Sequence, residues 1–210
     1  MRLLADGTPE ERLAFAEDAV VKFPRDPDLR HQYAISLIAS EPERARTELL
    51  RAVELDDTED PTRLARGAGV LLDLEDRESA RELAERAIPR AANLPTANKL
   101  RRIRGVVAVH DRDYALAERE LRAAHESDPT DEFAAKDLGW ALVRMGRVDD
   151  ALEVVDRTLA TPAGAAAHSE QSRQLLMHFR ERAEKARPSG GSQEQETALT
   201  DQTDEDPGWR

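Results

Sequence analysis

The sequence predicts an all-α chain, a right-handed α-solenoid of antiparallel helix pairs with a C-terminal capping helix. Three observations predict it. Small residues recur with one period: Ala45, Ala80, Ala117 and Ala151 stand 35, 37 and 34 residues apart. Ala52, Ala87, Ala124 and Thr158 follow each of them by seven, and Ala34, Ala68, Gly105 and Gly139 precede them by 11 or 12. Leu and Val then fall at helical spacing, as in Leu138 and Leu142 or Leu152, Val155 and Leu159, which is the pattern of amphipathic helices. No alternating apolar pattern of strand length occurs. A period in this range marks stacked supersecondary units, each of which buries its apolar face against its neighbours.

The elements follow in order. A helix is expected over about Pro9–Phe23, opened by the capping box Thr8-Pro9-Glu10-Glu11. Four helix pairs are expected over about 27–56, 61–93, 95–127 and 130–160, and a last helix over about 163–187. The first pair turns at Ser40-Glu41-Pro42. A cap residue followed by Pro at Asp60-Pro61, Asp128-Pro129 and Thr161-Pro162 signals further helix starts. In domain terms, 1–25 is a partial N-terminal repeat, 26–163 four repeats, 164–187 a capping helix and 188–210 a disordered acidic tail. Leu175, Leu176 and Phe179 give the last helix an apolar face against an otherwise polar surface, as the end of a stack requires. Met1–Gly7 matches only the end of a first helix, which fits a truncated chain, a short cap or contact with another subunit. Trp209 lies isolated in the tail, without an assigned role.

Composition narrows the function classes. The 210 residues carry 35% charged and 4% aromatic side chains, with a net charge of −12. That charge disfavours a phosphate-binding footprint for nucleic acid. There is no cysteine, so disulfides, thiolate zinc sites and thiol nucleophiles are excluded. No run approaches the roughly 20 apolar residues of a membrane span, and the start lacks the apolar core of a signal peptide. A cytoplasmic location is expected.

The segment from Asp137 to Val155 resembles a tetratricopeptide repeat: Leu138-Gly139 mid-helix, Gly146 in the turn, and Ala151 early in the second helix. The preceding repeat is similar at Gly105, Tyr114, Ala117 and Ala124 and ends on Asp128-Pro129. Two earlier repeats keep the alanines but lose the glycine and aromatic positions. The resemblance covers roughly residues 1–163 and implies a non-catalytic module that binds a protein or peptide in a concave groove lined by the first helix of each pair. The alternative is a subunit that self-associates through its incomplete first repeat, giving a homo-oligomer.

Carried over position by position, the resemblance places His31, Ile35 and Ile38, then Ala65, Gly69 and Leu72, on that groove. The third and fourth repeats contribute Lys99, Arg102, Val106, Val109 and His110, and Phe133, Lys136, Trp140, Val143 and Arg144. The partner-binding residues expected from this set are Lys99, Arg102, Val106, His110, Phe133, Lys136, Trp140 and Arg144. Four cations around two aromatic rings point to an acidic peptide, since Trp and Arg dominate binding hot spots. The carboxylate clamp of chaperone-binding relatives is not matched: its positions hold Asp28, Gln32, Thr62 and Arg66.

Catalytic patterns are missing. None of His31, His110, His125, His168 and His178 stands four residues from another, and neither a Gly-rich phosphate loop nor a nucleophile elbow occurs. His110-Asp-Arg-Asp113 falls at a turn, where Asp caps helices. No enzyme, cofactor or metal is expected. Glu78/Arg81/Glu82 and Glu118/Arg122 read as solvated helix-surface pairs.

Overall fold

The computed structural model of the chain describes residues 8–92, 94, 96–161 and 170–187. Among them are ten α-helices and no strand: α1 (Pro9–Lys22), α2 (Pro27–Leu37), α3 (Pro42–Leu55), α4 (Pro61–Asp73), α5 (Arg77–Ala91), α6 (Thr96–His110), α7 (Tyr114–Ser127), α8 (Glu132–Arg144), α9 (Val148–Ala160) and α10 (Glu170–Lys185). The readings placed on Met1–Gly7, on the Pro162 helix start and on the 188–210 tail with Trp209 lie outside the described residues.

Helix starts follow the cap-then-proline signal where the cap side chain is free to turn back. Thr8 accepts the N–H of Glu11, while the Glu11 carboxylate accepts the N–H of Thr8 at 2.8 Å. Asp26 and Asp60 each accept two backbone N–H groups ahead of Pro27 and Pro61. Asp128-Pro129 does not open a helix. Asp128 instead closes a local turn by accepting the Thr130 N–H at 3.1 Å and hydroxyl at 2.7 Å, and Asp131 caps α8 through Phe133 and Ala134. An Asp side chain serves either role, and the next Asp decides between them.

The turns inside the last three pairs share one geometry. Glu75, Arg112 and Gly146 all have φ between 63° and 75°. Immediately after each, an N–H reaches back to the helix: Asp76 to Leu71, Asp113 to Ala108 and Arg147 to Leu142, each at 2.9 Å. This is a Schellman-type stop, in which a left-handed residue satisfies the last helical carbonyls. Only Gly146 adopts it without the penalty a side chain brings, so Glu75 and Arg112 each carry about 1 kcal/mol of backbone cost. Asp76 and Asp113 then cap the following helices.

The chain divides into two compact units, residues 1–103 and 104–210, with the boundary inside α6. In the N-terminal unit α2 packs on α3 and α4 on α5, with α1 set against α2 and α3 against α4. One core joins Ala16, Val20, Tyr33, Leu37 and Ala45. A larger one joins Leu49, Leu64, Leu71, Leu83 and Ala87 to Leu100 and Ile103 at the start of α6. In the C-terminal unit α8 packs on α7 and α9, and α10 lies on both α8 and α9. Leu176, Phe179 and Ala183 form the buried face of α10, with Leu175 only half-buried at its edge.

All three series of small residues are buried. Thr158, the one polar member, keeps its hydroxyl satisfied on the Val154 carbonyl at 3.0 Å. The glycines are the closest approaches: a Cβ on Gly105 would meet Leu121 Cγ at 2.5 Å, and one on Gly139 would meet Phe179 Cζ at 2.7 Å. Glu118 is more than one half of a surface pair. Its carboxylate accepts from Arg122 at 2.6 Å and from Arg147 of the α8–α9 turn at 2.8 Å, and these guanidinium groups hold its proton affinity below the usual range.

Glycine-to-alanine changes should therefore differ in sign. Gly105→Ala and Gly139→Ala each force a buried side chain to shift, an overpacking cost of about 1–3 kcal/mol that outweighs the helix-propensity gain of about 1 kcal/mol. Gly69→Ala meets only the flexible end of Lys99 at 3.1 Å, so it should stabilise by up to about 1 kcal/mol. Urea unfolding of the three variants checks this.

Candidate partner-binding face

The sequence-derived residues fall in both units. Val106, His110, Phe133, Lys136, Trp140 and Arg144 belong to the C-terminal unit, whereas Lys99 and Arg102 belong to the N-terminal one. In the former, Asp131 fixes the start of α8 and the Gly146 turn fixes its end, so Phe133, Lys136, Trp140 and Arg144 follow one another three or four residues apart along one helical face. The opposite face, with Ala134, Leu138, Ala141 and Leu142, is buried.

The centre of the face is an aromatic pair that sequence reasoning did not foresee. The His110 ring, from the last turn of α6, meets Trp140 edge to face, with centroids 4.9 Å apart and planes at 61°. Trp140 is thereby half-buried, and its Nε1 is inside with no hydrogen-bond acceptor among the described residues. Phe133 stands one end away with 48% of its surface exposed. Lys136 keeps its ammonium 3.5 Å from the carboxylate of Asp137, and Arg144 is half-buried. Val106 is only 8% exposed, so it supports the face rather than lining it. Val109 is buried as well and Val143 half-buried.

In the N-terminal unit the expected groove positions separate. Ile35 is exposed, Ile38, Gly69 and Leu72 are half-buried, and Ala65 and His31 are buried. Burial pushes the His31 ring down to about 4, with Arg66 and Lys99 adding to the effect and Asp28 opposing it. His31 Nε2 has no hydrogen-bond partner among the described residues. Lys99 lies over Gly69, its Nζ 3.2 Å from where a Cβ would stand. Burial lowers its proton affinity, Arg102 and Arg66 lower it further, and Asp73 works against them. Among the described residues no group of three or more His, Asp or Glu side chains could hold a metal ion.

Residues 108–173 match the model of the tetratricopeptide repeat family. These residues are tetratricopeptide-repeat sequence. Solved tetratricopeptide-type structures align along most of the chain. PilW, a type IV pilus biogenesis factor, is 16% identical, with 95% of this chain and 94% of that one covered at a TM-score of 0.69. MamA from Desulfovibrio magneticus RS-1 is 21% identical, with 80% and 92% covered at 0.64. YrrB, described as a TPR protein with an unusual peptide-binding site, is 24% identical, with 81% and 86% covered at 0.51. At these identities the likeness establishes the fold: an all-α solenoid class built of helix pairs. No curated protein matches the sequence. No helix among the described residues is long and apolar enough to cross a membrane.

The buried His31 gives the chain a distinct pH response. The unfolded chain binds a proton there near pH 6.5, while the folded chain refuses it until about 4. Stability should thus fall as pH drops from about 6.5 to about 4, by roughly 3 kcal/mol from this residue. Urea midpoints over that range should slope less steeply in His31→Gln than in the parent.

Proposed function

We propose that the chain is a non-catalytic scaffold that holds an acidic peptide segment of a partner protein on the α8 face. The carrying observation is the juxtaposition of Phe133, exposed, and Trp140, half-exposed and braced by His110, with Lys136 and Arg144 along one helical face. A braced indole offers a large apolar area with little rotamer entropy left to lose, while the flanking cations select the sign of the partner. The tetratricopeptide-repeat sequence and the fold shared with a protein described as peptide-binding support this class of partner. The cytoplasmic location expected from the sequence belongs to the same proposal. Titration of acidic and basic peptide pools against the full chain, followed by Trp140 emission in a Trp209→Phe background, tests it. Acidic peptides should bind, and Lys136→Glu with Arg144→Glu should reverse the preference. Tracked by calorimetry instead, Trp140→Ala should weaken binding by about thirtyfold, a hot-spot-sized loss, with helical content unchanged. Equal binding of both pools would remove the reading.

A second reading, self-association, is favoured by one observation. Phe15, Val21 and Phe23, on and just after α1, are exposed by 45%, 75% and 60%. Static light scattering should then show a dimer that Phe15→Glu with Phe23→Glu converts to monomer. A parent that is monomeric at all concentrations would eliminate this reading.

A further inference from the structure

The α8 face lies beside the place where the chain leaves α10. This last helix packs on both α8 and α9. At its end Arg187 donates to the carboxylate of Asp149 in the first turn of α9, which fixes the chain next to the α8–α9 turn. Arg144 closes α8 on the other side of that turn, and Trp140, Lys136 and Phe133 continue away from it along the helix. Face and exit belong to the same compact unit. Acidic groups are already near: Lys136 stands 3.5 Å from the buried carboxylate of Asp137, and Arg147 of the turn is held by Glu118 and Asp150. The residues that follow Arg187 bring more. Within 188–210 six carboxylates, those of Glu194, Glu196, Asp201, Asp204, Glu205 and Asp206, stand against the one guanidinium of Arg210, together with the apolar side chains of Leu199 and Trp209. Acid with an aromatic ring is the chemistry that a face of cations and exposed rings takes. Reach is ample. The 13 residues of α8 span about 20 Å, and the 23 residues after Arg187 reach up to about 75 Å.

We propose that residues 188–210 occupy the α8 face of their own chain, as a tethered acidic ligand that a partner peptide must displace. The inference rests on the reading of that face as peptide-binding. The carboxylates meet Arg144 and Lys136, and Trp209 brings its ring to the end marked by Trp140 and Phe133. Tethering makes weak contacts sufficient. A tethered ligand acts at an effective concentration of about 1 mM, so an intrinsic Kd of about 100 μM keeps the face nine-tenths occupied and weakens a competing peptide about tenfold. Only a partner that is more acidic, better shaped or locally concentrated then gains the face, which gives the chain a threshold against stray acidic segments.

The test keeps the full chain and neutralises the segment in place, with Glu194→Gln, Glu196→Gln, Asp201→Asn, Asp204→Asn, Glu205→Gln and Asp206→Asn combined. All six positions lie outside the described helices, so helical content by circular dichroism should match the parent. The probe is a synthetic peptide with the sequence of residues 188–210, titrated by calorimetry into the parent and into the sixfold variant. The peptide should bind the variant saturably and the parent about tenfold more weakly, because the parent already holds its own copy. Lys136→Glu with Arg144→Glu, added to the sixfold variant, should remove binding. Equal binding to parent and sixfold variant would show that the segment does not cover the face and would overturn the proposal. So would no binding to either; if a pool of other acidic peptides still binds the variant, the α8 reading survives that loss, and if none does, both fall. Light scattering separates the sources of the occupant: a parent that stays monomeric supports the chain's own segment, whereas a dimer that the six substitutions dissolve assigns the segment to a second copy and overturns the proposal.

Discussion

Helix-to-helix distance is the constraint on which the rest of the molecule depends. At Gly105 and Gly139 the neighbouring side chain already occupies the place of a Cβ, and Ala45, Ala80, Ala117 and Ala151 are wholly buried. With so few aromatic residues to fill space, the cores are built from Leu over Ala, and dispersion contacts at close range replace bulk. The small residues mark where the helices approach most closely, and the larger apolar residues pack around those points.

Polar groups then hold what close packing leaves open. Acidic residues do two things at once. Asp76 accepts the Ser79 N–H at the start of α5 and also the guanidinium of Arg46 on α3. Burial by itself would raise its proton affinity, yet the Arg46 and Ser79 bonds bring it below the usual range. Glu118 behaves similarly between Arg122 and Arg147. Several acidic side chains thus serve as caps and bridges, where carboxylates relieve unpaired helix N–H groups and complement the helix dipole.

The proposed binding face arises where the repeat pattern departs from its own rule. Trp140 is a large aromatic residue next to a helix glycine, and the fold sets His110 against it. Gly69, in the opposite sense, withdraws a side chain and lets Lys99 cross α4 toward Arg66 and His31. One departure produces an apolar, ring-centred face and the other a concentration of positive charge. Each lies within a single unit, so each can be considered on its own.

Sequence alone determined the all-α class, the helix-pair period and the starts at Pro9 and Pro61, because helical spacing and cap chemistry are local properties of a few adjacent residues. Small residues at a fixed period also revealed where helices would nearly touch. Local chemistry did not distinguish Asp128 from Asp131 as the cap of α8, since both can bond a nearby N–H. The expected site residues were legible as a set of helix positions, but Val106 proved buried, and Lys99 turned out to share its surroundings with Arg66 and His31. The His110–Trp140 contact and the cation cluster join residues from different helices. Only tertiary structure decided them, because side-chain direction and helix separation, rather than spacing along the chain, govern which rings and charges meet.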